Sequence, residues 1–331
     1  MTVSATEKLR RFYDQFSPEH QVLILINADP DAIASAMAVK RLLWRRVSGV
    51  TISNVNIIQR PDNLAMVRLL GVNLTFINDL EPKKYDRTII VDSQPDHHDA
   101  FQHFPAQVVI DHHPDTTHQI RSVSFKDIRP KYGATASIMT EYVRAAKIKP
   151  SEKLATGLFH AIKTDTSNFE RQTLIEDVRA FQFLFRYANP HMVRKIEQAE
   201  LRLDFLNYFK KALQEKRLRR GRIFAHLGRI QNPDICVMIA DFFMRVNSVT
   251  WSIVSGIYDH RLIIILRNDG LRKNAGRTAQ KSFGPLGSAG GHKGMARAEI
   301  HLDDLKEKID PENGKRLLNW IIRQIERKAE P

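Results

Sequence analysis

Short apolar runs recur through the first half of the chain, each breaking off at a polar or acidic residue: VLILIN, VTISNVNII, RTIIVD and QVVID. Runs of this length predict strands buried on both faces. Between them, helical spacing of apolar residues predicts helices from about Ala32 to Trp44 and over PDNLAMVRLLG. Alternation of strand and helix predicts a parallel α/β sheet. Helical patterns follow in GATASIMTEYVRAA, EKLATGLFHAIK and EDVRAFQFLFRYAN, punctuated by Pro130, Pro150 and Pro190. A second, smaller α/β pattern comes later. DICVMIADFFMRV reads as a helix, and VTWSIVSGIY and RLIIILRND read as strands joined at Asp259 and His260. A glycine-rich SFGPLGSAGGHKG precedes a final helix, PENGKRLLNWIIRQIERK, that should bury Leu317, Trp320 and Ile321. The expected organisation is a first domain over 1–190, a basic helical linker over 191–222 and a second domain over 223–331.

A chain of 331 residues is long enough for two domains. No apolar run approaches the roughly 20 residues of a bilayer span, so a membrane role is not expected. The N-terminal segment lacks the apolar core of a secretory signal, and the lone Cys236 sits in an apolar stretch. Both point to a reducing compartment, the cytoplasm. Lys plus Arg total 51 against 37 Asp plus Glu, a formal charge of +14. Such a surplus favours a polyanionic partner. It is dense over residues 209–222, FKKALQEKRLRRGR, where Phe205, Phe209 and Leu213 fall at helical spacing. A solvated linker helix accounts for that stretch equally well.

The chemistry lies at the strand ends. Three apolar strands run directly into acidic or imidazole side chains: VLILINADPD, RTIIVDSQ and QVVIDHHP. Strand C-termini of a parallel sheet share one crevice, so Asp29, Asp31, Asp92, Asp111, His112 and His113 should converge there. Carboxylates crowded together repel unless a cation neutralises them, and oxygen and imidazole donors without thiolate suit manganese or magnesium. Each Asp taken singly reads as a helix cap. Asp165, after the helix GLFHAIKT, reads alone as a helix-terminal residue, and His97 and His98 of PDHHD as loop residues. The joint, ordered occurrence is what capping does not explain.

At these residues the sequence resembles the DHH phosphoesterases, which include RecJ exonuclease, NrnA-type nanoRNases with pAp phosphatase activity and family II inorganic pyrophosphatases. Asp29-Pro30-Asp31-Ala32 with Ser35 is similar to the first motif, Asp92 to the second, Asp111-His112-His113-Pro114 to the third, and Gly157 through Lys163-Thr164-Asp165-Thr166 to the fourth. Arg267 and Ala289-Gly290-Gly291-His292 resemble the DHH-associated substrate-binding domain, so the resemblance covers almost the whole chain. It implies two manganese ions, with magnesium or cobalt as alternatives. Asp92 would bridge them, Asp29 would ligate one, and Asp31, His112 and Asp165 the other. It also implies that His113 faces the phosphate and that Asp111 supports a neighbouring imidazole. Asp92, His112 and His113 are the catalytic candidates. Arg267, Gly290, Gly291 and His292 would hold the phosphate or terminal nucleotide of short RNA or a nucleotide across an interdomain cleft.

Two departures stand out. The usual first motif has a histidine four residues before its first Asp, where this chain has Leu25, which weakens one metal site. Ala289 stands where nanoRNases usually show a third glycine. The leading expectation is metal-dependent hydrolysis of phosphoesters in short oligonucleotides or nucleotides. The alternatives are a nucleotide-binding regulator with a degenerate metal site, a pyrophosphatase- or polyphosphatase-like hydrolase, and a charge-driven RNA-binding module. A homodimer is left open.

Overall fold

A computed structural model describes residues 4–114, 123–171, 173–198, 203–306 and 309–327. The chain divides into two units, residues 1–200 and 201–331.

The first unit runs α1 (Ala5–Tyr13), β1 (Gln21–Ile26), α2 (Pro30–Leu42), β2 (Gly49–Asn54), α3 (Pro61–Leu70), β3 (Thr75–Phe76), β4 (Arg87–Val91), β5 (Val108–Asp111), β6 (Phe125–Ile128), α4 (Thr135–Ala145), α5 (Glu152–Asp165), α6 (Ile175–Phe185) and α7 (Pro190–Glu197). All six strands are parallel, in the order β3-β2-β1-β4-β5-β6. Strand order reverses at β1, whose Val22 and Leu25 pair with Arg87 and Ile90 of β4. In doubly wound sheets the ligand crevice opens beyond the strand C-termini at such a reversal.

Both faces of β1 are covered, which is why its sequence is an unbroken apolar run. Val22, Ile24 and Ile26 join the core with residues of α2, α4 and α5, whereas Leu23 and Leu25 enter a second core with Ile90, Phe101, Phe104 and Val109. Leu25 is thus a fully buried packing residue in its own right. Local signals set the helix starts. Asp29 caps α2 and Pro30 occupies its first turn, where a missing N–H costs nothing. Gly71, at φ 69°, closes α3 in the left-handed conformation.

The second unit holds α8 (Phe205–Glu215), β7 (Arg217–Arg219), β8 (Arg222–Arg229), α9 (Asp234–Phe243), β9 (Trp251–Tyr258), β10 (Arg261–Asn268), α10 (Ala275–Phe283), β11 (Ser288–Gly291), β12 (Met295–His301), α11 (Leu302–Lys306) and α12 (Gly314–Arg327). Its sheet, β11-β12-β10-β9-β8-β7, is antiparallel except where β8 meets β9. One face packs Leu262, Ile264 and Leu266 against Phe283, Leu317 and Ile321; the other packs Ile263 and Ile265 against Ile235, Ile239 and Phe243. Asp259 and His260, both at positive φ, make the two-residue turn between β9 and β10.

The basic run corrects one expectation. It is not a single linker helix: α8 ends at Glu215 and the remainder forms β7 and its turn into β8. Phe205 and Ala212 of α8 are buried in the core of the second unit, so the helix is held by packing. Residues 199–202 of the expected linker lie outside the described residues. No helix among the described residues is long and apolar enough to cross a membrane.

Candidate metal centre

Four strand or helix ends build the site. Asp29 and Asp31 follow β1, Asp92 follows β4, Asp111 ends β5, and Asp165 ends α5. The helix expected to end just before Asp165 extends by one residue, and Asp165 is its last. The chain then leaves α5 through Ser167, Asn168 and Phe169, three consecutive left-handed residues. Asp92 itself has φ 56°, a conformation Asp tolerates better than most residues.

The carboxylates are fixed by hydrogen bonds from the start of α4. Asp31 is fully buried, and its Oδ2 and Oδ1 accept from the Thr135 and Ala136 amides at 2.6 and 2.7 Å. The Thr135 hydroxyl donates to Asp92 Oδ1 at 2.7 Å. A helix N-terminus therefore holds two of the acids.

Asp111 organises the turn carrying both imidazoles. Its Oδ1 accepts from the His112 amide, the His113 amide and His113 Nδ1 at 2.8, 3.1 and 2.8 Å. Its Oδ2 accepts from Gln94 Nε2 at 2.7 Å. Burial pushes Asp111 up, but the bonds from His113 and Gln94 outweigh it and hold the carboxyl below its usual range. Gln94 also donates to the carbonyls of His113 and Pro114, so one buried amide clamps the whole turn.

His112 points the other way. Its Nδ1 lies 3.2 Å from the Tyr132 carbonyl, which can only accept, so Nδ1 carries a proton and Nε2 is the nitrogen turned towards the acids. Nε2 lies 3.2 Å from Asp165 Oδ2 and 3.6 Å from Asp92 Oδ1, yet it is buried and aligned with neither for a hydrogen bond.

These groups gather into two sets whose donor atoms lie within 4.8 Å of one another: Asp31, His112 and Asp165, and Asp92, His112 and His113. Asp29 is in neither; its Oδ1 caps α2 through the Ala32 amide at 2.9 Å. Burial, then the Asp165 charge, pushes Asp29 up to about 6 and Asp31 up to about 7; burial and the neighbouring Asp31 push Asp92 well above the usual range. For His112, burial pulls down, but contact with Asp165 and the charges of Asp31 and Asp165 lift it to about 10. Asp31 and Asp92 have no lysine or arginine partner among the described residues. Buried, mutually repelling carboxylates around an imidazole nitrogen fit a hard divalent cation: all donors are oxygen or nitrogen. Cys236, the thiol, is buried in the core of the other unit.

The expected substrate residues sit in the second unit. Arg267 Nε donates to Asp241 Oδ1 of α9 at 2.6 Å. Arg267 pairs with Met295, and Gly291 with the adjacent Ala296, which puts Arg267 and the Gly290-Gly291-His292 segment at one end of the sheet. Gly291 is at φ 142°, and a Cβ there would meet Met295 O at 2.4 Å, whereas a Cβ at Gly290 would meet nothing within 4 Å. His97 and His98 are loop residues: His98 Nδ1 accepts from the Ala100 amide, and His97 packs edge-on against His113. Gln94, Tyr132 and Thr135 are the contributors that sequence reasoning missed. The only available signal was Thr135's place at the start of a helix following a glycine.

Residues 21–162 match the model of the DHH family, N-terminal domain. The chain is 33% identical over 317 residues to uncharacterized protein MJ1633 of Methanocaldococcus jannaschii, an alignment covering 96% of this chain and 65% of that protein. The chain thus spans less than two thirds of that relative's length. Among solved structures it is similar to an exopolyphosphatase-related protein from Bacteroides fragilis (TM-score 0.74, 14% identity, all of both chains). It is also similar to RecJ in complex with Mn2+ from Thermus thermophilus (TM-score 0.53, 13% identity, 98% of this chain and 54% of that one). Motif order and the matched segment agree: residues 21–162 carry the N-terminal domain of the DHH family.

Proposed function

We propose that the first unit hydrolyses phosphoesters of short oligonucleotides or nucleotides with the help of divalent cations, manganese first among them. The observation that carries this reading is His112 Nε2, buried without a hydrogen-bond partner among carboxylates that no lysine or arginine neutralises. Asp31, His112 and Asp165 would hold one ion, and Asp92, with His112 and His113 nearby, a second. A bound divalent cation supplies activation of water near neutral pH and screening of phosphoryl charge. Asp29, engaged in capping α2, and Leu25, packed in the core, leave the second seat with fewer protein donors.

The protein's own groups do the positioning. Asp111 fixes Nδ1 of His113, leaving Nε2 of this half-exposed ring to bond a phosphoryl oxygen. Thr135 fixes Asp92, and the first turn of α4 fixes Asp31, so the acids need no reorganisation when charge develops. The second unit is proposed to bind substrate through Arg267, Gly290, Gly291 and His292: the guanidinium offers a forked donor and the glycines allow close backbone approach. The formal charge of +14 supports a phosphate-rich ligand.

The test is a manganese-supplemented panel of dinucleotides, pAp, cyclic dinucleotides, single-stranded DNA and pyrophosphate, run on wild type and Asp92→Asn. Turnover of a short nucleotide that Asp92→Asn abolishes is the expected result. Tight nucleotide binding with no release at any metal concentration would replace the enzyme with a nucleotide-binding regulator.

A further inference from the structure

The second unit contains a cavity of about 490 Å³ that the proposed reaction does not use, between α8, β8 and the start of α12. Its volume falls within the roughly 300–1,000 Å³ typical of small-molecule sites. His226 of β8 is 2% exposed yet lines it. Its Nδ1 lies 2.9 Å from Ser255 Oγ, and that hydroxyl donates to the Ala225 carbonyl at 3.3 Å. The chain of bonds therefore runs from Nδ1–H through Ser255 to a carbonyl, and His226 Nε2 is left as an acceptor with no partner among the described residues. Burial, then the charge of Lys211, holds this imidazole down at about 4, so it is neutral near pH 7.

The ring lies against the first residue of α12. A Cβ at Gly314 would come within 3.2 Å of His226 Cδ2 and 3.9 Å of Nε2, so glycine keeps the space open. Asn313 satisfies the amides of Arg316 through its side chain and Leu317 through its carbonyl. The Gly314 and Lys315 amides have no acceptor among the described residues, and they sit at the positive end of a fourteen-residue helix. Lys211 reaches the cavity over Gly228, where a Cβ would lie 2.8 Å from its Nζ. Gly228 is at φ +71°, and β8 shifts register against β9 between His226 and Arg229. Bulges of this kind re-aim side chains next to sites.

The lining carries both signs: Glu312 pairs with Arg229, Asp310 Oδ1 accepts from the Glu312 amide, and the Asp310 and Glu215 carboxylates have no cationic partner among the described residues. Lys211 and Lys315 have no ion pair among the described residues.

We propose that this cavity binds a phosphate monoester of mononucleotide size, its phosphoryl oxygens on the Gly314 and Lys315 amides and the Lys211 and Lys315 ammoniums, and one of its hydroxyls donating to His226 Nε2. A helix N-terminus with flanking lysines is a ready phosphate seat, and the acceptor nitrogen selects a hydroxyl-bearing ligand over a bare anion. The assignment stands whether or not the acidic centre of the first unit is catalytic.

Calorimetric titration of the full chain with adenosine 5′-monophosphate, in excess chelator so that the first unit holds no cation, tests it. Binding should weaken about 10-fold or more in Lys211→Met/Lys315→Met. It should stay within about two-fold of wild type in Lys83→Met/Lys84→Met, which removes the same charge from exposed positions of the first unit. Adenosine should not bind, and inorganic phosphate should bind more weakly. Amide NMR signals of Gly314 and Lys315 and the His226 ring nitrogens should move with saturation. Absence of binding, a loss in Lys83→Met/Lys84→Met at least as large as in Lys211→Met/Lys315→Met, or equal affinity for inorganic phosphate would each overturn the assignment.

Discussion

The first unit buries two groups of carboxylates and treats them in opposite ways. On β6, Asp127 is 5% exposed and surrounded by partners. Arg129 bonds it through Nε and Nη2, Lys8 lies at 2.6 Å, and the Tyr142 hydroxyl donates at 2.9 Å. Arg129 continues to Glu141 at 2.6 Å, and the Tyr132 hydroxyl donates to the same carboxylate. Burial pushes Asp127 up, and Arg129 with Lys8 outweighs it and holds the carboxyl below its usual range. At the ends of β1 and β4, by contrast, Asp31 and Asp92 are equally buried and pushed up. Burial alone does not mark a functional acid; a missing neutraliser does.

Charge removal should therefore carry opposite signs at the two places. The largest expected effect is on turnover: Asp92→Asn should lower manganese-supported phosphoester hydrolysis on the order of 10³-fold or more, read from initial rates at saturating metal. Next, Arg129→Met removes the cation that Asp127 and Glu141 share and leaves buried Asp127 with Lys8 alone. It should destabilise the first unit by about 3–5 kcal/mol in denaturant titrations. Gln94→Ala removes the donor to Asp111 Oδ2 and should cost about 10- to 100-fold in manganese affinity by calorimetry, with little change in helix content.

In chelator, Asp92→Asn should raise the melting temperature by about 2–4 °C, since one repelling carboxylate is gone; a fall would equate the two clusters. The smallest effect lies in acid. Asp127 has a folded pKa below its unfolded one, so its contribution is fully present above about pH 4 and is lost as pH falls through the folded value. The stability gap between wild type and Arg129→Met should accordingly narrow below about pH 4, measured as urea midpoints from pH 7 to 3.

Legibility in the sequence follows the same physics. VLILI, RTIIV and QVVID could be read because central parallel strands are apolar on both faces, so an acid at their ends stands out. Strand β6, FKDI, escaped notice because at the sheet's edge Lys126 faces solvent, and Asp127 is tolerated inside only through partners distant in sequence. Strand β7 was hidden in a basic run whose three residues are all exposed. Gln94, Tyr132 and Thr135 could not be read because their role is a bond to a residue many positions away, and no spacing rule encodes it. The clustering of Asp31, Asp92, His112, His113 and Asp165 was legible for the converse reason: the doubly wound topology converts strand order into proximity.

The exit from α5 ties this chemistry to ring packing elsewhere. A left-handed conformation costs a bulky residue such as Phe169 about 1–2 kcal/mol, and its ring rests edge-on against Phe181 of α6, centroids 4.9 Å apart. The aromatic contact thus acts as an anchor for the loop that begins one residue after Asp165. Loosening that anchor would be felt first as slack in the Asp165 carboxylate four residues upstream, so the seating of α6 bears on the geometry of the acidic cluster.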